Sequence, residues 1–117
     1  MNQTTRDIVI LGSTGSVGRQ ALEIVDRHPE RFRVVGLTAN SNDQLLIQQV
    51  KKYRPLMAGL AGKVILPPPE TAFCQWHFGT EALDIASAQV PCHDVLVAVV
   101  GMVGLGSVLG ARRTNKR

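Results

Sequence analysis

Asp7-Ile8-Val9-Ile10-Leu11-Gly12-Ser13-Thr14-Gly15-Ser16-Val17-Gly18 is the stretch on which the architecture of this chain turns. Its first five residues form a short apolar run, rich in β-branched side chains and ending in glycine, which is the pattern of a strand buried on both faces. Beyond the glycines, Val17, Ala21, Ile24 and Val25 recur at helical spacing, while Arg19, Gln20, Glu23 and Asp26 fall largely on the opposite side. That is an amphipathic helix. It is expected to stop near His28, because Pro29 disfavours helical geometry in the residue before it.

Next along the chain, Phe32–Thr38 (FRVVGLT) is a second strand and Ala39–Asn42 its exit loop. Asn42 is placed to cap a second helix whose inner stripe is Leu45, Leu46, Gln49, Val50 and Tyr53, and Pro55 closes it. Strand, helix, strand, helix implies parallel strands joined by right-handed crossovers. The fold class is therefore α/β, a Rossmann-like parallel sheet flanked by helices. Residues 1–117 form one such domain, incomplete at its carboxy-terminal end. Further on, Leu56–Leu60 reads as a third strand. Lys63–Leu66 reads as a strand or as an extended arm, and Gly59, Gly62 and Pro67-Pro68-Pro69 interrupt this middle region. Glu70–Trp76 and Thr80–Ala88 are expected to be helical. Asp94–Val100 (DVLVAVV) is a buried strand, followed by a glycine-rich segment from Gly101 to Gly110. There is no internal repeat and no domain-scale linker.

At 117 residues the chain has room for one domain, not two. With 44% hydrophobic and 19% charged residues it is globular rather than disordered. Aromatic residues make up 4%, so the core must come from Val, Leu, Ile and Ala. The net charge of +4 comes from the end of the chain, where Arg112, Arg113, Lys116 and Arg117 crowd together. Elsewhere the basic residues are scattered among acids, which argues against a nucleic-acid surface. No charged leader followed by an apolar run precedes Ile8, and no apolar stretch reaches the roughly 18 residues that span a bilayer. A cytoplasmic protein without a membrane partner is expected.

The three glycines of Gly12-Ser13-Thr14-Gly15-Ser16-Val17-Gly18 follow a predicted strand and open a predicted helix, the context that gives such spacing weight. Gly12 permits a tight turn, Gly15 lets the backbone approach a pyrophosphate, and Gly18 lets the helix pack against the strand. The helix N-terminus adds unpaired N–H groups and a partial positive charge. Ser13, Thr14 and Ser16 add hydroxyl donors around the same anion. A purely structural glycine turn is the alternative. NAD-binding domains commonly carry an acid at the end of the second strand, where it holds the ribose 2′-hydroxyl. Here the stretch is Thr38-Ala39-Asn40-Ser41-Asn42, with no acid before Asp43. Such a loop tilts the preference towards NADP, unless Asn and Ser serve only the turn and the cap.

The remaining candidates are weaker. Gly101–Gly104, past the last strand, is either a second approach to a ligand or a helix-entry turn. His28, His77 and His93 stand alone, with no spacing that implies a triad or a metal site, and are read as structural or solvated. Cys74 and Cys92 lack metal-ligand spacing and are read as a reduced pair rather than a disulfide. Phe73 and Trp76 are core or cover residues.

The run ILGSTGSVGRQALEIVDRHPERFRVVGLTANSN resembles the amino-terminal segment of 1-deoxy-D-xylulose 5-phosphate reductoisomerases. It shares their GSTGS loop, the helix ending in His-Pro-Glu, the Phe-Arg-Val-Val strand and an Ala-x-x-Asn exit loop. The later VAVVGMVGL is similar to the family's VAAIVGAAGL segment. By that resemblance the full-length enzyme uses NADPH and a divalent metal, Mg or Mn, to convert 1-deoxy-D-xylulose 5-phosphate to 2-C-methyl-D-erythritol 4-phosphate. This is a step of non-mevalonate isoprenoid biosynthesis, and the full-length family is expected to be homodimeric. Carried over by position, Thr14, Gly15, Ser16 and Val17 contact the cofactor's phosphates, and Asn40, Ser41 and Asn42 hold its 2′-phosphoribose. A Gly-Lys-Asn version of the second loop occurs in the family, and Ser41 does not offer that lysine's charge. Met57–Phe78 follows the family pattern poorly. The resemblance covers the first quarter to third of a full-length member. It supplies neither the family's Ala-Asn-Lys-Glu motif nor its Asp and Glu metal ligands, so no catalytic or metal residue is assigned. Binding of NADPH, without catalysis by this chain alone, is the expected activity. Two alternatives remain. One is another NADP-dependent reductase, such as a semialdehyde dehydrogenase, which would need a catalytic Cys and His. The other is a non-catalytic nucleotide-binding or interaction module.

Overall fold

The computed structural model describes residues 5–98. The apolar run forms strand β1 (Arg6–Leu11), which lies inside a five-stranded sheet of order β4-β3-β2-β1-β5. Its other strands are β2 (Phe32–Ala39), β3 (Met57–Leu60), β4 (Gln75–Phe78) and β5 (Asp94–Val97), and every pairing is parallel. The helices are α1 (Ser16–Arg27), α2 (Asp43–Tyr53) and α3 (Glu81–Ala88). The expected parallel α/β sheet, flanked by helices, is what forms. Val99, Val100, the segment Gly101–Gly110 and the basic tail lie outside the described residues.

Burial on both faces explains the unbroken apolar run of β1. Ile8 and Ile10 join Leu22 and Val25 of α1 and Leu46 and Val50 of α2 in one core. Val9 and Leu11 face the other way, towards Ala86 of α3 and Val90. A bulge keeps β2 in step with this alternation. Val34 pairs with Ile8 but Gly36 pairs with Val9, so Val35 is the extra residue, and Val34 and Leu37 both end on the α1/α2 side. An inserted residue restores face parity that strict two-residue alternation would lose.

Local signals set the ends of α2 as expected. The Asn42 side chain accepts a hydrogen bond from the Leu45 N–H at 3.2 Å, and Arg54 closes the helix in the left-handed region (φ 51°) before Pro55. Helix α3 occupies all of the expected Thr80–Ala88 helix but its first residue.

Three features depart from expectation or decide between alternatives. Val17 and Ile24 are exposed, at 44% and 51%, and the buried face of α1 is Gly18, Leu22 and Val25. The close approach of Gly18 to the preceding loop sets the rotation of the helix. Glu70–Trp76 is not a helix: Pro69–Thr71 makes one 3-10 turn, and the chain then extends as β4 along the edge of β3. The Thr71 hydroxyl donates to Pro68 O (2.8 Å) and accepts from Trp76 Nε1 (3.2 Å), which ends the turn and anchors the strand. Trp76 and Phe78, two apart on one strand face, then stack with centroids 6.2 Å apart. Of the strand and arm readings of Lys63–Leu66, the arm is the one that forms, with Leu66 92% exposed. Among the described residues no helix is long and apolar enough to cross a membrane.

Candidate dinucleotide-binding site

β1 is flanked by β2 on one side and β5 on the other, so the chain's path across the sheet reverses at β1. In open α/β sheets ligands lie at such a switch point, outside the carboxyl ends of the strands. The glycine loop leaves β1 at that end, beside the end of β5, where the Ala98 N–H donates to Leu11 O at 2.7 Å.

Two glycines are obligatory in this loop for different reasons. Gly12 turns the chain at φ +88°, a conformation costly for any side chain. Gly18 packs so closely that a Cβ would be driven into the carbonyl of Gly12 and the Cα of Ser13. The loop is tied to the rest of the domain by Thr38, whose carbonyl accepts from the Gly12 N–H (2.9 Å) and the Ser13 N–H (2.8 Å). The Thr38 hydroxyl lies 3.2 Å from the same Gly12 N–H.

Ser13 plays a different part from the one expected. Its hydroxyl donates to Gln49 Oε1 at 2.6 Å, and Gln49 Nε2 donates back to Ser13 O at 3.0 Å, both side chains being buried. A buried polar group must find a partner, and this pairing takes the Ser13 hydroxyl out of the anion's donor set. It turns Ser13 into the bolt between loop and α2. The Gly15 N–H donates to Gly12 O at 3.3 Å, and no side chain caps α1. The amides of Thr14, Ser16 and Val17 have no acceptor among the described residues. Thr14 is half-exposed, and Gly15, Ser16 and Val17 are exposed. Unpaired amides at a helix start beside a switch point make a donor set suited to phosphate oxygens.

The second loop leaves β2 next to the first. Asn40, Ser41 and Asn42 are all exposed, and Asn42 is already engaged as the α2 cap. Asp43, the first acid after β2, is held by Lys63 Nζ at 2.7 Å. The hydrogen bond from Lys63 holds the Asp43 carboxyl below its ordinary range.

The other candidates fall elsewhere. His93 Nδ1 accepts from the Asp7 N–H at 2.8 Å, at the opposite end of β1 from the loop. Cys74 and Cys92 form no disulfide and pack on opposite faces of the sheet, and burial pushes the Cys74 thiol up to about 12. A thiol so shifted is a poor nucleophile. Phe73 lies under the Arg54 guanidinium, 4.0 Å from ring centroid to Cζ, so it covers the surface. Among the described residues no three His, Cys, Asp or Glu side chains gather as a metal site. Gly101–Gly104 is outside the described residues.

The family model for 1-deoxy-D-xylulose 5-phosphate reductoisomerase matches residues 8–117. The chain belongs to the 1-deoxy-D-xylulose 5-phosphate reductoisomerase family. It is 39% identical over 115 residues to the reductoisomerase of Synechococcus sp. (strain JA-2-3B'a(2-13)), covering 93% of this chain and 29% of that protein. With the reductoisomerase of Ralstonia nicotianae it shares 40% identity over 116 residues, covering 94% of this chain and 30% of the relative. The chain thus spans about 30% of the length of these relatives. The fold agrees: the Zymomonas mobilis reductoisomerase in complex with NADPH superposes with TM-score 0.71 at 25% identity, over 84% of this chain and 27% of that one. A reductoisomerase in complex with NADPH, fosmidomycin and magnesium gives TM-score 0.72 at 26% identity, over 87% of this chain and 26% of the other.

Three residues that shape the site carry too little sequence signal to be assigned to it: Thr38, Gln49 and Lys63. Gln49 does leave a trace, as an amide on an otherwise apolar helix stripe. Thr38 looks like any strand residue, and Lys63 like any surface lysine.

Proposed function

We propose that this chain is the NADPH-binding portion of a 1-deoxy-D-xylulose 5-phosphate reductoisomerase, and that residues 1–117 belong to its partial Rossmann-like domain. The observation that carries this is the set of amides at Thr14, Ser16 and Val17 with no acceptor among the described residues, beside the β1 switch point. These amides, with the Thr14 and Ser16 hydroxyls, bind the cofactor's phosphates. Gly15 keeps the approach open, while Gly12, Ser13 and Gly18 hold the loop in shape. Asn40, Ser41 and Asn42 bound the 2′-phosphoribose, and in the free chain the first carboxylate after β2, Asp43, is paired with Lys63. NADPH supplies the hydride for the family's reduction. This chain's residues bind and orient it and are not assigned to the substrate or the divalent metal. In the same reading the full-length enzyme works in the cytoplasm as a homodimer, with conversion of 1-deoxy-D-xylulose 5-phosphate to 2-C-methyl-D-erythritol 4-phosphate as its reaction, and takes no nucleic acid.

Calorimetric titration of the chain with NADPH and with NADH tests the reading. NADPH is expected to bind more tightly. Binding of neither by a chain shown to be folded would sink it.

A further inference from the structure

The β2 exit loop contains no cation, yet a 2′-phosphate brings close to two negative charges. The neighbouring arm supplies one. Immediately after β3, the Ala61 N–H donates to Ala39 O at 2.9 Å and the Gly62 N–H donates to Asn40 O at 2.8 Å. These bonds carry the arm alongside the exit loop. Gly62 is pressed against Asn40, since a Cβ there would lie 2.5 Å from Asn40 Oδ1. The next residue, Lys63, therefore emerges beside the loop, and its ammonium stands 2.7 Å from the carboxylate of Asp43, the first residue of α2.

We propose that Lys63 is the residue that selects for the cofactor's 2′-phosphate, parked on Asp43 until the phosphate takes the ammonium over. This rests on the NADPH reading above. Asp43 has two effects in the free chain. It keeps the flexible lysine at the loop, and it competes with an incoming phosphate for the ammonium. The pair is partly exposed, with side-chain exposures of 45% and 21%, so exchange of one anionic partner for another is sterically open. A solvent-facing ion pair of this kind is weak, which makes a doubly charged phosphate a competent rival for the lysine.

The test is calorimetry on the 117-residue chain with NADPH, NADH and adenosine 2′,5′-bisphosphate. Lys63→Gln is expected to weaken NADPH and the bisphosphate about tenfold, as loss of one charge-assisted hydrogen bond does, and to leave NADH within about twofold. Lys63→Arg is expected to retain most of the NADPH affinity, and Asp43→Asn to tighten NADPH selectively by releasing the lysine. If the unsubstituted chain prefers NADPH and Lys63→Gln leaves that preference intact, the role of Lys63 is overturned while the cofactor reading stands. Equal weakening of NADPH and NADH would also overturn it. If the unsubstituted chain binds neither cofactor, the cofactor reading fails and this inference falls with it.

Discussion

The loops after β1 and β2 lie side by side at the carboxyl end of the sheet, joined through Thr38, and they are built on opposite plans. In the first, backbone does the work: Gly12 turns at positive φ, Gly18 admits the helix, and the amides of Thr14, Ser16 and Val17 find no acceptor among the described residues. In the second, the backbone is ordinary and other segments complete the corner, with Gly62 against Asn40 and Lys63 on Asp43. Each kind of recognition is therefore stored differently. A pyrophosphate is read by geometry that one short stretch can encode. A 2′-phosphate is read by charge, which any nearby segment can deliver.

The contrast between the loops is tested most severely at Gly18. Gly18→Val forces side-chain atoms into the backbone of Gly12 and Ser13, and the expected loss is about 3 kcal/mol of stability together with binding of both cofactors. Urea unfolding measures the first and titration the second. A variant of unchanged stability would show that the first loop does not depend on this contact. Next in size is Gln49→Leu, which strands the buried Ser13 hydroxyl and carbonyl and is expected to cost about 2 kcal/mol. Adding Ser13→Ala should recover part of that loss, and a double variant no better than the single one would refute the pairing's energetic role.

The second loop is more forgiving. Asn42→Ala removes one helix cap and is expected to lower stability by about 1 kcal/mol, seen as a modest fall in thermal midpoint. A loss as large as that at Gly18 would erase the distinction between the two loops.

Legibility in the sequence divides along the same line. The strand-glycine-helix unit, the second strand, the Asn42 cap and the Pro55 stop are all readable, because each is set by sterics or hydrogen bonding within a few residues. The inner stripe of α2 is readable too, with Leu46, Gln49 and Val50 buried. The stripe of α1 is not, since Val17 and Ile24 look as core-like as Leu22 until Gly18 is seen against the loop. Strand β4 reads as helix because an edge strand derives its stability from the strand it joins. Its Trp76–Phe78 face makes sense as a strand face only once β3 lies beside it.

The residues alone determine a parallel α/β unit opening with a phosphate-type loop, and its family. The unit and its loop are consequences of short-range rules: β-branched runs extend, glycine tolerates positive φ, proline stops helices; the family is read from resemblance along the run from Ile10 to Asn42. It took the folded chain to bolt Ser13 to Gln49, 36 residues away, and to bring Lys63 back 20 residues to Asp43. Buried polar groups and surface charges take whichever partner the fold brings within about 3 Å, and nothing in their own neighbourhoods names that partner in advance.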